Sequence, residues 1–382
     1  MPTHSRPRWR ALLVRRISEL ALLAAATPFI AQAQARWTLK ETLRIGGADA
    51  GPTSFLRTKS IEADSKGRIL VYDQQSQDIK MFAPDGKFLR TIGRLGSGPG
   101  ELRNAEGITI DRAGRIWVRD AANARFTVFN SEGEFEKNWT MKFCWSQGNW
   151  YPQVDGKSRI VDFDCVVPQG GGRAMGYAVV AYRPDLSGVD TLSTRPECGT
   201  RELSEAGTWI TRSEKSTMYR AVPFAPSPVS VLGPNGETWC APNSSRYEIM
   251  RLVASAKDTV RISRTVAAVP VTKAERDSII SKFDEKGPSG LDFDRIPRAK
   301  PAIDKIYVDD QGRPWVRRTN AQGVIEFDIY SSSGQPVATA MLGKYRTWPP
   351  FVVRGDNVYM VVLDEDDVQH VVRFHIERRA ID

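Results

Sequence analysis

Histidine is almost missing from this chain. There are three in 382 residues, and His4 lies in a basic N-terminal stretch, which leaves His370 and His375 for everything else. Five apart in an apolar-alternating run, those two point to opposite faces of a strand and cannot share a metal. The shortage excludes a multi-histidine zinc centre and leaves no Ser-His-Asp arrangement that can be argued. Cysteine is sparse as well: Cys144, Cys165, Cys198 and Cys240, with no C-x-x-C pair among them. Zinc therefore loses to disulfides, and an even count in an exported chain fits two of them. No apolar run approaches the ~20 residues of a membrane-spanning helix. No Lys/Arg-rich run follows residue 35, so nucleic acid is not an expected partner.

The longest apolar run, Leu20 to Ile30, comes after Arg6, Arg8, Arg10, Arg15 and Arg16 and ends at Ala31-Gln-Ala33-Gln-Ala35. Basic, apolar and small residues in that order describe a cleavable secretory signal over residues 1–35, cut after Ala33 or Ala35. Arg15-Arg16 leaves twin-arginine export open beside the general route. The expected location is periplasmic or extracellular. Without five arginines and Glu19 the formal charge falls from +9 to +5, an ordinary value for a soluble chain. Residues 36–382 read as one domain.

What that domain has in abundance is a repeat. Ile61-Glu-Ala-Asp64-Ser-Lys-Gly67-Arg68-Ile69 is rewritten as Ile108-Thr-Ile-Asp111-Arg-Ala-Gly114-Arg115-Ile116. Asp64 to Asp111, Gly67 to Gly114 and Gly86 to Gly133 are each 47 apart. Each unit holds short apolar-alternating runs between turn residues, the pattern of antiparallel strands. Four strands per ~45 residues is the pattern of a β-propeller blade. Weaker copies follow around Asp155-Gly156, Asn235-Gly236, Gln311-Gly312 and Gly355-Asp356, and the last of them ends after three strands. The missing strand is supplied at the other end, because Leu43-Arg-Ile45-Gly46 aligns with Arg90-Thr-Ile92-Gly93 at the same period of 47. The expected fold is all-β: a six-bladed propeller of four antiparallel strands per blade, closed by an N-terminal strand that completes the last blade.

The second unit, from Gly93 through Gly100-Glu101-Leu102, Gly107-Ile108-Thr-Ile110-Asp111, Gly114-Arg115-Ile116-Trp117-Val118, Asp120 and Asn123-Ala-Arg125-Phe126 to Gly133-Glu-Phe135, resembles the NHL-repeat family. Ala105 stands where that family usually has proline. The resemblance implies an exported bacterial propeller, and such propellers include binding proteins and enzymes. Peptide-amidating lyases of this type use several histidines around zinc, which this chain cannot furnish. Sugar-lactonase types converge carboxylates on a metal in the central channel, for which Glu62, Glu106 and Asp304 are the candidates.

In a propeller the loop leading into each innermost strand opens on the same end as the loop between strands two and three. That end collects most of the irregular, aromatic and arginine-bearing sequence, and long loops on a rigid scaffold are where binding concentrates. The candidate ligand-binding residues are Arg57, Arg103, Trp145, Trp150, Tyr151, Arg212, Tyr219, Arg220, Arg298, Arg317 and Trp348, types that carry most interface energy. For any one of them, capping a blade or facing solvent is the competing reading. Asp364-Glu365-Asp366-Asp367 reads as a solvated turn before it reads as a calcium site.

Two insertions, 195–228 and 265–300, break the period. Thr272-Lys-Ala-Glu275 is a capping box for a short helix over about 272–286, with Ile279, Ile280 and Phe283 turned toward the propeller surface.

The function expected from all this is a monomeric binding module without catalytic residues, cofactor or metal, taking a protein or an anionic glycan on the loop-rich end. The alternative is a metal-dependent hydrolase or lactonase working in the channel. Blade positions pair Cys144 with Cys165 and Cys198 with Cys240. Peptide mapping without reductant should return those two linked pairs, and four free thiols would refute the assignment.

Overall fold

A computed structural model describes residues 35–47, 50–141, 151–166, 176–185, 187–194, 198–199, 205–212, 216–253, 260–286 and 291–378. Antiparallel four-stranded sheets dominate it. The first comprises Thr58–Ala63, Ile69–Asp73, Asp78–Phe82 and Phe88–Ile92, and the second Gly107–Ile110, Ile116–Asp120, Arg125–Phe129 and Phe135–Thr140. The third runs through Gln153–Val154, Ile160–Val166, Gly176–Tyr182 and Val189–Thr194, and the fourth through Val229–Leu232, Thr238–Ala241, Glu248–Leu252 and Val260–Ser263. An eight-stranded sheet holds the remainder in two halves. One half is Lys305–Val308, Pro314–Thr319, Ile325–Tyr330 and Pro336–Gly343; the other is Arg346–Arg354, Asn357–Leu363, Gln369–Arg378 and the N-terminal strand Ala35–Gly46. Ala35–Gly46 pairs antiparallel with Gln369–Arg378 and briefly parallel with Pro336–Gly343. The N-terminal strand thus lies where the 47-residue alignment puts it.

One turn explains why so short a first hairpin forms repeatedly. In Asp111-Arg-Ala-Gly114-Arg115-Ile-Trp117, Asp111 Oδ1 accepts the backbone N–H of Ala113 and Arg115, at 2.9 Å each. Its Oδ2 accepts Arg115 Nε at 2.8 Å and Trp117 Nε1 at 2.9 Å. Gly114 turns the chain at a φ of +82°, a conformation glycine adopts without cost. Asp309 repeats the whole set with Gln311, Arg313 and Trp315. Asp64 and Asp155 repeat it without the tryptophan. A carboxylate with this many donors is well satisfied although buried, which is what makes burying it tolerable.

The fourth sheet departs from the pattern. Gly233 stands where the aspartate would be, and Glu237, in the arginine position, bends back to accept Asn235 N–H at 2.9 Å. Trp239 Nε1, the counterpart of the two satisfied indoles, is buried with no partner.

Sheets pack face to face through apolar clusters, each shared by neighbours. Tyr72 and Ile92 meet Ile108 and Val118, while Trp117 and Phe126 meet Ile160 and Tyr182. Val161 and Val179 meet Leu232, and Trp239 and Ile249 meet Ile306 and Val316. Trp315 and Phe327 meet Val372 and Phe374, and Val361 and Val371 meet Ile61 and Val71 of the first sheet. Contact is close enough that a Cβ on Gly133 would lie 2.5 Å from Ile92 of the preceding sheet.

The two insertions pack against each other. Thr208–Arg212 pairs antiparallel with Thr217–Ala221, and α1 (Lys273–Lys286) packs beside this pair. Ile279 and Phe283 join Trp209, Val222 and Ile296 in a cluster of their own, of which Ile280 is not a member. Trp209 Nε1 donates to Asp292 O at 2.9 Å, and Thr272 and Glu275 make the expected reciprocal cap. A disulfide joins Cys198 to Cys240, tying the first insertion to the second strand of the fourth sheet. Cys144 lies outside the described residues. Among the described residues no helix is long and apolar enough to cross a membrane.

Two stability outcomes follow from the turns. Asp111→Ala strands Arg115 and the buried indole of Trp117, and should lower stability by about 3 kcal/mol, within the range for breaking a buried pair; an unchanged urea midpoint would contradict this. Glu237 behaves differently, because burial holds its carboxyl above the usual carboxylate range. Ionising it costs the folded chain more than the unfolded one, so its contribution declines as pH rises from the unfolded value through the raised folded one. Glu237→Gln should therefore raise the melting temperature relative to wild type at pH ~8 and lose that advantage near pH ~4.

Candidate binding face

The loop-bearing end is organised by a second set of buried aspartates. Asp73 Oδ2 accepts Leu56 N–H at 2.8 Å and Arg57 N–H at 3.2 Å, fastening the loop ahead of the first sheet to the end of its second strand. Asp120 does the same in the second sheet, accepting Arg103 N–H at 2.8 Å and Asn123 Nδ2 at 2.8 Å. Arg57 and Arg103 consequently occupy equivalent positions, and both are exposed at that end.

The other expected site residues fall into separate groups. Arg212 and Tyr219 lie on the inserted hairpin, where Tyr219 is 69% exposed. Arg220 sits beside them with its guanidinium 5.7 Å from the ring centre of Phe283. Arg298 is exposed on the chain that follows α1, its carbonyl accepting Val271 N–H. Arg317 and Trp348 line one cleft between the halves of the eight-stranded sheet. Trp145 and Trp150 lie outside the described residues.

Tyr151 crosses between sheets: it precedes the third, and its hydroxyl donates to Lys59 O of the first at 3.0 Å. Burial pushes the Tyr151 phenol up and holds the Lys59 ammonium below the usual lysine range, the latter only partly offset by Glu106.

The three channel carboxylates do not converge. Glu106 and Asp304 stand just ahead of their strands at the loop-bearing end, whereas Glu62 sits near the far, turn-side end of Thr58–Ala63. Each is engaged by an arginine. Glu62 accepts Arg354 NH2 at 2.6 Å. Glu106 contacts Arg119, whose Nε also donates to Asp162 at 2.7 Å. Asp304 lies 2.9 Å from Arg317 Nε. Among the described residues no group of three His, Cys, Asp or Glu side chains could hold a metal ion. The acidic run at 364–367 is a turn: Asp364 Oδ1 accepts Asp366 and Val368 N–H, its Oδ2 meets His370 Nε2 at 2.9 Å, and Asp367 pairs with Arg346.

Sequence reasoning missed the partners that complete the cleft around Arg317 and Trp348. These are Tyr307, Thr347, Pro350 and Phe351, with Tyr307 stacked on Phe351 at 4.2 Å between ring centres. The signal was Trp348-Pro-Pro-Phe351, two prolines inside an innermost strand. Pairing with Asn357–Leu363 shifts register there, as prolines in a strand require.

Residues 56–157 match the model of a family, DUF5128, described as a 6-bladed beta-propeller. No curated protein sequence matches the chain. Among solved structures, a member of the DUF4221 family from Bacteroides vulgatus is 11% identical, covers 91% of this chain and 100% of its own, and has a TM-score of 0.45. A streptogramin B lyase is 10% identical over 89% of this chain and 98% of its own, TM-score 0.44. A protein described as a putative gluconolactonase is 12% identical over 90% and 99%, also at 0.44. Likeness at that level says nothing about activity. The repeat, the ladder of four-stranded sheets and the family match agree that the chain is a β-propeller of the NHL-like type.

Proposed function

We propose that this chain is a closed ring of six blades, exported behind a signal at residues 1–35, and that it works as a monomeric binding module through its loop-bearing end. Support for the ring comes from the apolar cluster that joins the last strands to the first sheet, with Ile45 of the N-terminal strand inside it. Support for export comes from the disulfide, since such bonds persist in oxidising compartments.

The observation that carries binding over catalysis is the fate of Glu62, Glu106 and Asp304. Each has an arginine as its near partner, and Glu62 is at the wrong end of the channel to act with the other two. A hydrolytic metal needs ligands that share a site, and these carboxylates would have to leave their arginines to serve, breaking largely buried pairs for Glu62 and Glu106. What the loop-bearing end offers is exposed Arg57, Arg103, Arg212, Arg298, Tyr219 and Trp348, chemistry suited to holding a partner surface. Protein or glycan would both meet it.

The test has two arms on purified mature protein. Immobilised wild type should retain a component of its own cell envelope fraction that an Arg57→Ala/Arg103→Ala/Arg298→Ala variant releases. Metal analysis should find calcium and zinc well below one equivalent. Stoichiometric metal that disappears in Glu106→Gln or Asp304→Asn would replace this reading with the hydrolase.

A further inference from the structure

The first insertion leaves one strand edge open. Thr208–Arg212 and Thr217–Ala221 form a two-stranded sheet of their own, and among the described residues no third strand joins it. A free two-stranded ribbon is marginal in water. This one is held by Trp209, which is buried against Phe283 of α1 and Phe293, with ring centres at 5.3 and 5.7 Å.

The two edges of the ribbon differ. Val222 N–H donates to Gly207 O at 2.8 Å, so the residues that exchange both backbone bonds are Gly207 with Val222, Trp209 with Arg220 and Thr211 with Met218. The backbone groups of Thr208, Ile210 and Arg212 then point out of one edge, and those of Thr217, Tyr219 and Ala221 out of the other. On the first edge Arg295 NH1 donates to Thr208 O at 3.0 Å. On the second, no described group meets the backbone of Thr217, Tyr219 or Ala221, and all three residues are exposed.

Exposed edges are usually blunted by charge. The outer strands of the first four sheets follow that rule, with Arg90, Lys137, Asp190 and Arg261 in them. Thr217–Ala221 does not. Its one charged residue, Arg220, holds its guanidinium 5.7 Å from the ring centre of Phe283, on the face turned to α1. The opposite face carries Ile210 directly across from Tyr219, and they are 41% and 69% exposed. Outward N–H and C=O groups in a row are matched by another extended backbone, whose apolar side chain would lie beside Tyr219.

Charge selects the strand. Residues 206–212 and 216–225 contain Arg212 and Arg220 and no acid. Arg212 is exposed on the open face, across from Thr217, whose small side chain leaves it room to reach the next strand over. Two strand spacings are about 10 Å, a distance that an arginine and a facing carboxylate span together. Two copies paired through this edge would instead bring four arginines together without an acid.

We propose that Thr217–Ala221 is a docking edge for an extended, acidic segment of a partner protein, which adds to the ribbon as its third strand. Ile210 and Tyr219 receive an apolar side chain and Arg212 a carboxylate. The proposal rests on the binding-module reading and names protein over glycan as what this part of the loop-bearing end holds.

Fluorescence anisotropy on the mature protein tests it with three labelled probes. The first is Glu-Thr-Val-Thr-Glu, which puts valine opposite Tyr219 and an acid opposite Thr217 whichever way it runs. The second replaces both glutamates with lysine, and the third is the first with its valine N-methylated. The first should bind saturably and the others at least tenfold more weakly, one for want of charge and one for want of a backbone donor. Tyr219→Pro removes an outward N–H and no bond of the ribbon, a position where edge strands tolerate proline. It should weaken the first probe by about tenfold or more at an unchanged melting temperature. Tyr219→Val keeps that N–H and should keep most of the binding; an equal loss there would reveal a side-chain patch and overturn the edge. Arg212→Gln should narrow the gap between the glutamate and lysine probes. No saturable binding of the first probe, with an envelope component still retained by wild type, would overturn the edge and leave the binding-module reading standing. A concentration-dependent dimer abolished by Tyr219→Pro would overturn it in favour of a second copy, and retention of envelope glycan in place of peptide would overturn it as well. Stoichiometric metal that disappears in Asp304→Asn would overturn the binding-module reading by a separate measurement.

Discussion

The carboxylate in the first turn of the first three sheets and of the Lys305–Gly343 half is the contact on which the rest depends. A two-residue or three-residue β-turn has little enthalpy of its own, and a hairpin of four or five residues per strand is marginal in water. Asp64, Asp111, Asp155 and Asp309 each supply two backbone bonds and an arginine pair within a span of a few residues. That fixes the register of strands one and two through contacts within the hairpin itself. The tryptophans at 117 and 315 then enter the inter-sheet clusters with their indole N–H already satisfied. Burying a tryptophan whole costs least when that donor has an acceptor. The fourth sheet shows the converse: its aspartate is replaced by Gly233, and the indole of Trp239 goes without.

A second aspartate, at the end of the second strand, does for the loops what the first does for the turns. Asp73 and Asp120 hold the leading loops by backbone N–H groups, so the side chains of Arg57 and Arg103 carry no structural duty there. Loop side chains freed in this way are available for recognition, and a rigid scaffold of packed sheets fixes where they stand. Elsewhere on the same end, arginines are spent internally: Arg264 and Arg318 both meet the fully buried Asp328, which also accepts the hydroxyl of Tyr247. The arginine count of the chain therefore overstates its free positive surface.

Much of the fold is legible in residue order because its signals are local. Alternation with period two, glycine at a positive-φ turn and an aspartate two and four residues before its N–H donors all lie within one hairpin. Copying that hairpin at a spacing of 47 makes the copies visible even to the eye. The alignment of Leu43–Gly46 with Arg90–Gly93 located the N-terminal strand for the same reason, and Cys198 and Cys240 meet as their blade positions implied. Insertions were harder. The capping box at Thr272 announced α1, but nothing local in Ile279 or Phe283 said that their partners would be Trp209 and Val222 from the other insertion.

The sequence by itself determined the repeating unit, its turns and its sheet-forming strands, because each is stabilised by contacts a few residues apart. Only the tertiary structure decided what the carboxylates and arginines do. Glu62 pairs with Arg354 across 292 residues, and Lys59 receives the Tyr151 hydroxyl across 92, so neither contact leaves a trace in spacing. Arg317 and Thr347 come to line one cleft only when two sheet units stand side by side. A pair's partner depends on where the whole arrangement of sheets brings its strands, and residue order carries no direct record of that.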